Sequence, residues 1–187
     1  MKILIAYGTT EGQTRKIAEQ AASHLRARGH SATLWNSADE GLDLNLDDFD
    51  AFIVAASVHQ EQHQGAIKNF AAAHHALLNG RPSAFISVSL SAVLEETWPE
   101  AQSYVERFMS LTRWQPAMTL LLGGALRFAE YDYFQKQIVN FIVMKRGMAV
   151  NETGDIEQLE QEFTDWNALR DFLDDFLERA SQPSNAG

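Results

Sequence analysis

The chain opens on a short apolar run, Ile3-Leu4-Ile5-Ala6-Tyr7, which Gly8-Thr9-Thr10-Glu11-Gly12-Gln13-Thr14 interrupts before helical spacing sets in at Ile17. That order predicts a strand, a tight loop and a helix. The helix covers about Gln13–Arg28, with Ile17, Ala21, Ala22 and Leu25 as its buried stripe and Gly29 as its stop. Ser31–Trp35 reads as a second strand, followed by a solvated acidic link (Asp39, Glu40, Asp43, Asp47, Asp48) that lacks the spacing of a calcium loop. The third strand, Ala51–Ala56, is apolar throughout, as a strand buried on both faces requires. Ser57–Gly65 then reads as a long polar loop, and a helix with Ile67, Phe70, Ala71, Leu77 and Leu78 on one side ends at Asn79-Gly80-Arg81-Pro82. Ala84–Leu90 is the fourth strand. Thr97-Trp98-Pro99-Glu100 has the pattern of a capping box opening a helix that carries Ala101, Tyr104, Val105 and Phe108. Ala117–Leu122 is the fifth strand, closed by Gly123-Gly124. Thr164 or Asp165 caps a last helix that buries Trp166, Leu169, Leu173 and Phe176, and Ser181–Gly187 is a fraying tail.

Five apolar runs alternating with helices, without internal repeats, imply a doubly wound parallel sheet with right-handed crossovers and helices on both faces. A chain of 187 residues with 45% hydrophobic residues can bury one sizeable core, so residues 1–187 are expected to form one domain with an insertion at about 127–163. Cysteine is absent, which excludes disulfides and thiolate chemistry. The formal charge of −10 argues against nucleic acid as a partner, since such binding needs basic patches. The opening apolar run is too short for a signal or spanning segment, so a cytoplasmic location is expected.

The candidate chemistry lies at strand ends. A loop of hydroxyls and glycines leading into a helix points unpaired N–H groups and the positive end of the helix dipole at one spot, where phosphate binds. The spacing is neither the GxGxxG dinucleotide fingerprint nor a P-loop, because no Lys follows Gly12. It resembles the FMN-phosphate loop of flavodoxins, roughly T/S-x-T-G-x-T, with Thr9, Thr10, Gly12, Gln13 and Thr14 matching and Glu11 standing where Thr or Ser is usual. The resemblance implies a flavodoxin-like three-layer α/β/α sandwich, a five-stranded parallel sheet of order 2-1-3-4-5, and FMN as cofactor. In such a sheet the ligand sits outside the strand C-termini where the strand order reverses. The loops Ser57-Val58-His59-Gln60 and Ser89-Leu90-Ser91-Ala92-Val93 converge there with Thr9–Thr14 and would border the flavin ring. Neither loop holds Trp or Tyr, so His59, His63, Leu90 or Trp98 would serve in any stacking on the ring. His59 and His63 lack a third ligand for a metal.

Five segments, YGTTEGQTRKIA, ASVHQEQHQGAIKNF, RPSAFISVSL, GGALRFAEYDYF and FTDW, together resemble the menaquinone-dependent protoporphyrinogen dehydrogenases over nearly the whole chain. That resemblance implies oxidation of protoporphyrinogen IX, or another reduced substrate, with a quinone as acceptor. The flavin carries the redox step, and no catalytic side chain is assigned. The alternative is an electron-carrier flavodoxin that meets a redox protein through its acidic surface. Within the insertion, Tyr131, Phe134, Ile138, Phe141 and Ile142 share one helical face over Tyr131–Arg146. That face either covers the sheet edge or pairs with a second copy in a homodimer, or it covers a flat apolar substrate or makes a peripheral contact at the inner face of the cell membrane. In the latter case Arg127, Lys136, Lys145 or Arg146 would meet propionates or anionic lipid. The tract then turns acidic from Glu152 onward, where members of that family are basic.

Overall fold

The computed structural model describes residues 1–39, 44–126 and 161–182. The expected helix at Tyr131–Arg146, with its substrate, membrane and dimer roles, lies outside the described residues, as does most of the acidic run. In chain order the elements are β1 (Lys2–Gly8), α1 (Gln13–Ala27), β2 (Ser31–Asn36), β3 (Ala51–His59), β4 (Gln62–His63), α2 (Gly65–Ala73), α3 (His75–Gly80), β5 (Ser83–Ser89), α4 (Trp98–Thr112), β6 (Met118–Gly123), β7 (Ala125–Leu126), β8 (Gln161–Glu162) and α5 (Trp166–Ala180). The parallel strands run in the order β2-β1-β3-β5-β6, and β4 pairs antiparallel with the end of β3. Counting the parallel strands alone, this is the 2-1-3-4-5 order of a flavodoxin-like sheet.

Alternation along each strand divides the core in two. Ile3, Ile5 and Tyr7 of β1, Ile53 of β3 and Ile86 of β5 pack with Ile17 and Leu25 of α1 and with Leu169, Leu173 and Phe176 of α5. The intervening residues, Leu4, Ala6, Phe52, Val54 and Phe85, face Ile67 and Phe70 of α2 and Val105 and Phe108 of α4 on the other side. Trp114, which follows α4 outside any periodic stretch, is fully buried on that second face and donates its indole N–H to Ser83 Oγ at 3.0 Å.

Several local features differ from the pattern-based reading. The stretch after Ala56 is a β-hairpin, because β3 continues to His59 and turns through Gln60 (φ 47°) and Glu61 (φ 61°) into β4. The expected helix after Gly65 is two helices, separated at His74 (φ −112°, ψ 15°). Thr97 forms no capping box: its hydroxyl donates to the carbonyls of Ser91 (2.7 Å) and Leu94 (3.0 Å). Asp165, not Thr164, caps the last helix, accepting from the N–H groups of Asn167 and Ala168.

His63 is likewise a core residue and not a candidate for the ring. It is 6% exposed, lies 5.2 Å from the Phe85 ring and 5.0 Å from that of Phe108, and shares a 2.9 Å hydrogen bond between Nε2 and Ser87 Oγ. Burial pushes its pKa down from the ordinary 6.5 to about 4. The unfolded chain takes up this proton as pH falls through 6.5, whereas the folded chain does so only near 4. The stability due to neutral His63 is therefore complete above pH 6.5 and declines at up to about 1.4 kcal/mol per pH unit below it. Urea unfolding at pH 7.5, 6 and 5 should show the double variant His63→Leu/Ser87→Ala losing stability less steeply than the wild type. Parallel pH profiles would contradict this account.

Candidate functional site

The C-terminal ends of β1, β3 and β5 open into one cleft of about 410 Å³, within the range of small-molecule and cofactor sites. Thr9, Thr10, Glu11, Gln13 and Thr14 line it from the loop after β1. Ser57, Val58, His59 and Gln60 line it from the hairpin, together with Glu61 at its tip. Ser89, Leu90 and Ser91 line it from the end of β5, and Val88, Glu100, Tyr104, Gly124 and Ala125 complete the wall. Of the residues singled out in the sequence, Gly12, Ala92 and Val93 do not line the cleft. Gly12 takes φ +88° as the N-cap of α1, a left-handed conformation that a side chain disfavours, and its N–H donates to Thr9 Oγ1 at 2.9 Å. Ala92 N–H donates to Ser89 Oγ at 3.2 Å, and Val93 N–H to the Leu90 carbonyl at 3.0 Å, so both shape the loop.

The loop after β1 has the donors an anion needs. The first N–H groups of α1 have no partner within the helix. Thr9 Oγ1 accepts from Gly12 N–H and Thr10 Oγ1 accepts from the Gln64 amide, so the hydroxyl protons of both remain to be donated. Thr14 is fully buried, and its Oγ1 has no hydrogen-bond partner. The same holds for Ser57 Oγ, buried at the end of β3. Two buried hydroxyls without partners, both in residues of one cleft, are what a polar ligand would satisfy. Close packing keeps the cradle narrow: a Cβ on Gly8 would lie 2.6 Å from Gln64 Oε1 and 3.0 Å from Ile67 Cγ2.

Gln13 is turned to another use. Its amide donates to Thr164 Oγ1 at 2.8 Å, and that hydroxyl donates to the Gly123 carbonyl at 2.9 Å. Lys16, one turn along α1, meets Glu162 at 3.4 Å. The segment entering α5 is thus clasped between the start of α1 and the end of β6. Beside this clasp, Ala125 pairs with Glu162 and Leu126 with Gln161, so β7 and β8 stand next to the cleft wall that Gly124 and Ala125 form.

Of the residues considered for stacking on a ring, His59 and Leu90 line the cleft. Trp98 is 48% exposed outside it and props the loop through a 3.1 Å bond from its indole N–H to the Ala92 carbonyl. Among the described residues, the charged ones of the cleft wall are Glu11, Glu61 and Glu100. Glu100 was assigned by pattern to a helix cap. Its carboxylate instead accepts from Ser91 Oγ at 3.1 Å and is a hydrogen-bond partner of the Tyr104 hydroxyl, one turn further along α4. The helical spacing of Glu100 and Tyr104 was visible in the sequence, but nothing there showed that they face the loop after β5.

A family model described as a flavodoxin domain matches residues 4–152. The chain is 30% identical over 185 residues to the protoporphyrinogen IX dehydrogenase (quinone) of Escherichia coli strain K12, covering 98% of this chain and 99% of that protein. It is 29% identical over 176 residues to the protein of the same name from Leishmania major, covering 94% of this chain and 74% of that one. Among solved structures, a short-chain flavodoxin associated with a non-canonical PDU bacterial microcompartment superposes with a TM-score of 0.56 at 13% identity, over 97% of this chain and all of that one. A Streptococcus pneumoniae flavodoxin superposes with a TM-score of 0.53 at 13% identity, over 97% of this chain and 98% of that one. The likeness to these two is one of fold.

The partnerless Thr14 hydroxyl sets up two opposite effects of a single substitution. Thr14→Val keeps the shape and removes an unsatisfied buried group, so the ligand-free protein should gain about 1 kcal/mol in urea unfolding. FMN should bind more weakly by about 1.5–3 kcal/mol, because a hydrogen bond to a charged oxygen is lost. Fluorescence titration with FMN and unfolding of the ligand-free protein check the two signs, and an unchanged FMN affinity would sink the reading.

Proposed function

The chain belongs to the flavodoxin domain family, and from that premise we propose that it is an FMN-dependent oxidoreductase that converts protoporphyrinogen IX to protoporphyrin IX and hands the electrons to a quinone. FMN is the cofactor of the fold and supplies the redox chemistry. In this reading Thr9, Thr10, Thr14 and the N–H groups after Gly12 hold the phosphate. Ser57, Val58, His59 and Gln60 border the ring from the hairpin, and Ser89, Leu90 and Ser91 from the end of β5, with Ala92 and Val93 fixing that loop.

The observation that carries the substrate assignment is where the long tract joins the sandwich. Gly124 and Ala125 form part of the cleft wall, Ala125 and Leu126 form β7, and β8 pairs with it, so the described residues on either side of 127–160 lie together beside the cleft. An electron carrier needs an exposed ring edge and a partner surface, whereas a large tetrapyrrole needs additional surface at the cleft. The near-complete mutual coverage with the Escherichia coli protein supports the same reading, because the tract lies within the shared length. No helix among the described residues is long and apolar enough to cross a membrane.

Anaerobic incubation of the FMN-loaded protein with protoporphyrinogen IX and a soluble menaquinone analogue should produce porphyrin fluorescence in proportion to quinone consumed. Replacing residues 127–151 by a short Gly/Ser linker should leave FMN binding and ferricyanide reduction in place while abolishing protoporphyrinogen oxidation. An intact protein that reduces ferricyanide but leaves protoporphyrinogen untouched would turn the assignment to the carrier.

A further inference from the structure

Glu100, a charged side chain of the cleft wall, is fixed from two sides by hydroxyl groups. Ser91, 4% exposed, donates to Glu100 Oε2 at 3.1 Å, and Tyr104, 7% exposed, shares hydrogen bonds with both Glu100 and Ser91. Ser91 is itself held, since its carbonyl accepts from the Thr97 hydroxyl at 2.7 Å. The cluster stands at the end of β5, two strand spacings from the phosphate loop after β1, a separation of about 10 Å. Glu11, by contrast, belongs to the phosphate loop, and Glu61 lies exposed at the hairpin tip. A carboxylate offers about four acceptor positions. Ser91 and Tyr104 occupy two, leaving the remainder for a donor inside the cleft.

We propose that Glu100 accepts the proton released from a pyrrole N–H of the reduced substrate, with Ser91 and Tyr104 as its positioning residues. The proposal rests on the substrate reading given above. In the first two-electron step the substrate loses a hydride from a bridging C–H bond and a proton from an adjacent pyrrole N–H bond, and a new π bond forms between that bridge and the ring. The hydride passes to the flavin and the proton to the Glu100 carboxylate. When the quinone then takes the hydride, the carboxylic proton follows it, directly or through solvent, so that the quinol carries both hydrogens and Glu100 returns to its anion. Burial, and then the Glu100 carboxylate, push the Tyr104 phenol up to about 12. Tyr104 therefore keeps its proton and serves as a fixed donor that aims the carboxylate. The other titratable groups sharing the cleft are Glu11, Glu61 and His59. Arg107, further along α4, donates to the Glu61 carbonyl at 3.4 Å.

Stopped-flow reduction of the FMN-loaded protein by protoporphyrinogen IX under anaerobic conditions, from pH 5 to 9, tests this. Glu100→Gln keeps the shape but cannot take a proton, so flavin reduction by protoporphyrinogen should slow by roughly 100-fold or more. FMN affinity by fluorescence and the rate of flavin reduction by dithionite should stay within about threefold, on the same scale of effect that general-base loss exceeds. Ser91→Ala removes a donor to the carboxylate and should slow the same step by about tenfold, whereas Ser91→Thr, which keeps the hydroxyl, should restore it, a rescue that a merely structural role would not give. If Glu100→Gln reacts at the wild-type rate with the wild-type pH profile, or loses FMN affinity in step with rate, the proposal is overturned while the substrate reading stands. A wild-type flavin that protoporphyrinogen does not reduce overturns the substrate reading, and the proton acceptor with it.

Discussion

Strands β1, β3 and β5 have no solvent face. Their central residues are buried between two helical layers, and the alternation of Ile3, Ile5 and Tyr7 against Leu4 and Ala6 sends side chains into separate cores. A parallel sheet covered in this way must return each strand through a crossover on one face or the other, which leaves every strand C-terminus on the same edge. Buried polar residues along such strands need partners, as Ser87 has in His63 and Ser83 in Trp114, and toward the strand C-termini a ligand can supply them. Ser57 and Ser89 sit at those ends, level with the hydroxyl loop that follows Gly8. The position of the site is thus a consequence of the two-sided burial, and the loops supply its chemistry.

What was legible in the chain and what was not follows the same division. Apolar runs and the glycine-hydroxyl loop announce themselves locally, so the parallel sheet and the strand-loop-helix unit at its start could be read without coordinates. The hairpin after Ala56 could not, because a two-residue turn with positive φ at both positions normally advertises itself through Asn or Gly, and this chain uses Gln60 and Glu61. Its support is tertiary: buried His63 anchors one side, and Arg107 bonds the Glu61 carbonyl. The pattern Thr97-Trp98-Pro99-Glu100 was legible but ambiguous. A capping box needs the glutamate to reach back to the N-cap, and here the nearby Ser91 hydroxyl engages it first. Thr164 and Asp165 posed a similar choice, resolved because Gly123, a residue distant in sequence, offers its carbonyl to the threonine.

The cleft combines two electrostatic demands that pull apart. In the proposed reading, phosphate is accommodated by hydroxyls, backbone N–H groups and a helix terminus, and among the described residues no Lys or Arg lines the cleft. Its charged lining is carboxylate, which disfavours extra negative charge on a bound flavin and so lowers the potential at which it accepts electrons. Neutral donors let the phosphate be held without a cation that would offset that effect. The orphaned hydroxyls of Thr14 and Ser57 are then a stability cost borne by the ligand-free protein and relieved by occupancy.

The clasp between Gln13, Thr164 and Gly123 bears on the order in which the molecule can be completed. Gln13 opens the first helix, yet its amide is secured by a residue 151 positions downstream. The carbonyl of Phe163 lies 2.6 Å from where a Cβ of residue 123 would stand, so this junction closes only over glycine. During synthesis the hydroxyl loop leaves the ribosome well before Thr164, and its neighbouring helix is not braced until α5 has been made and docked. A contact of such long range is formed late, after much chain entropy has been spent. Bracing of the hydroxyl loop is thereby tied to the synthesis of α5, and a chain terminated before Thr164 carries the loop without the brace that holds its helix in place.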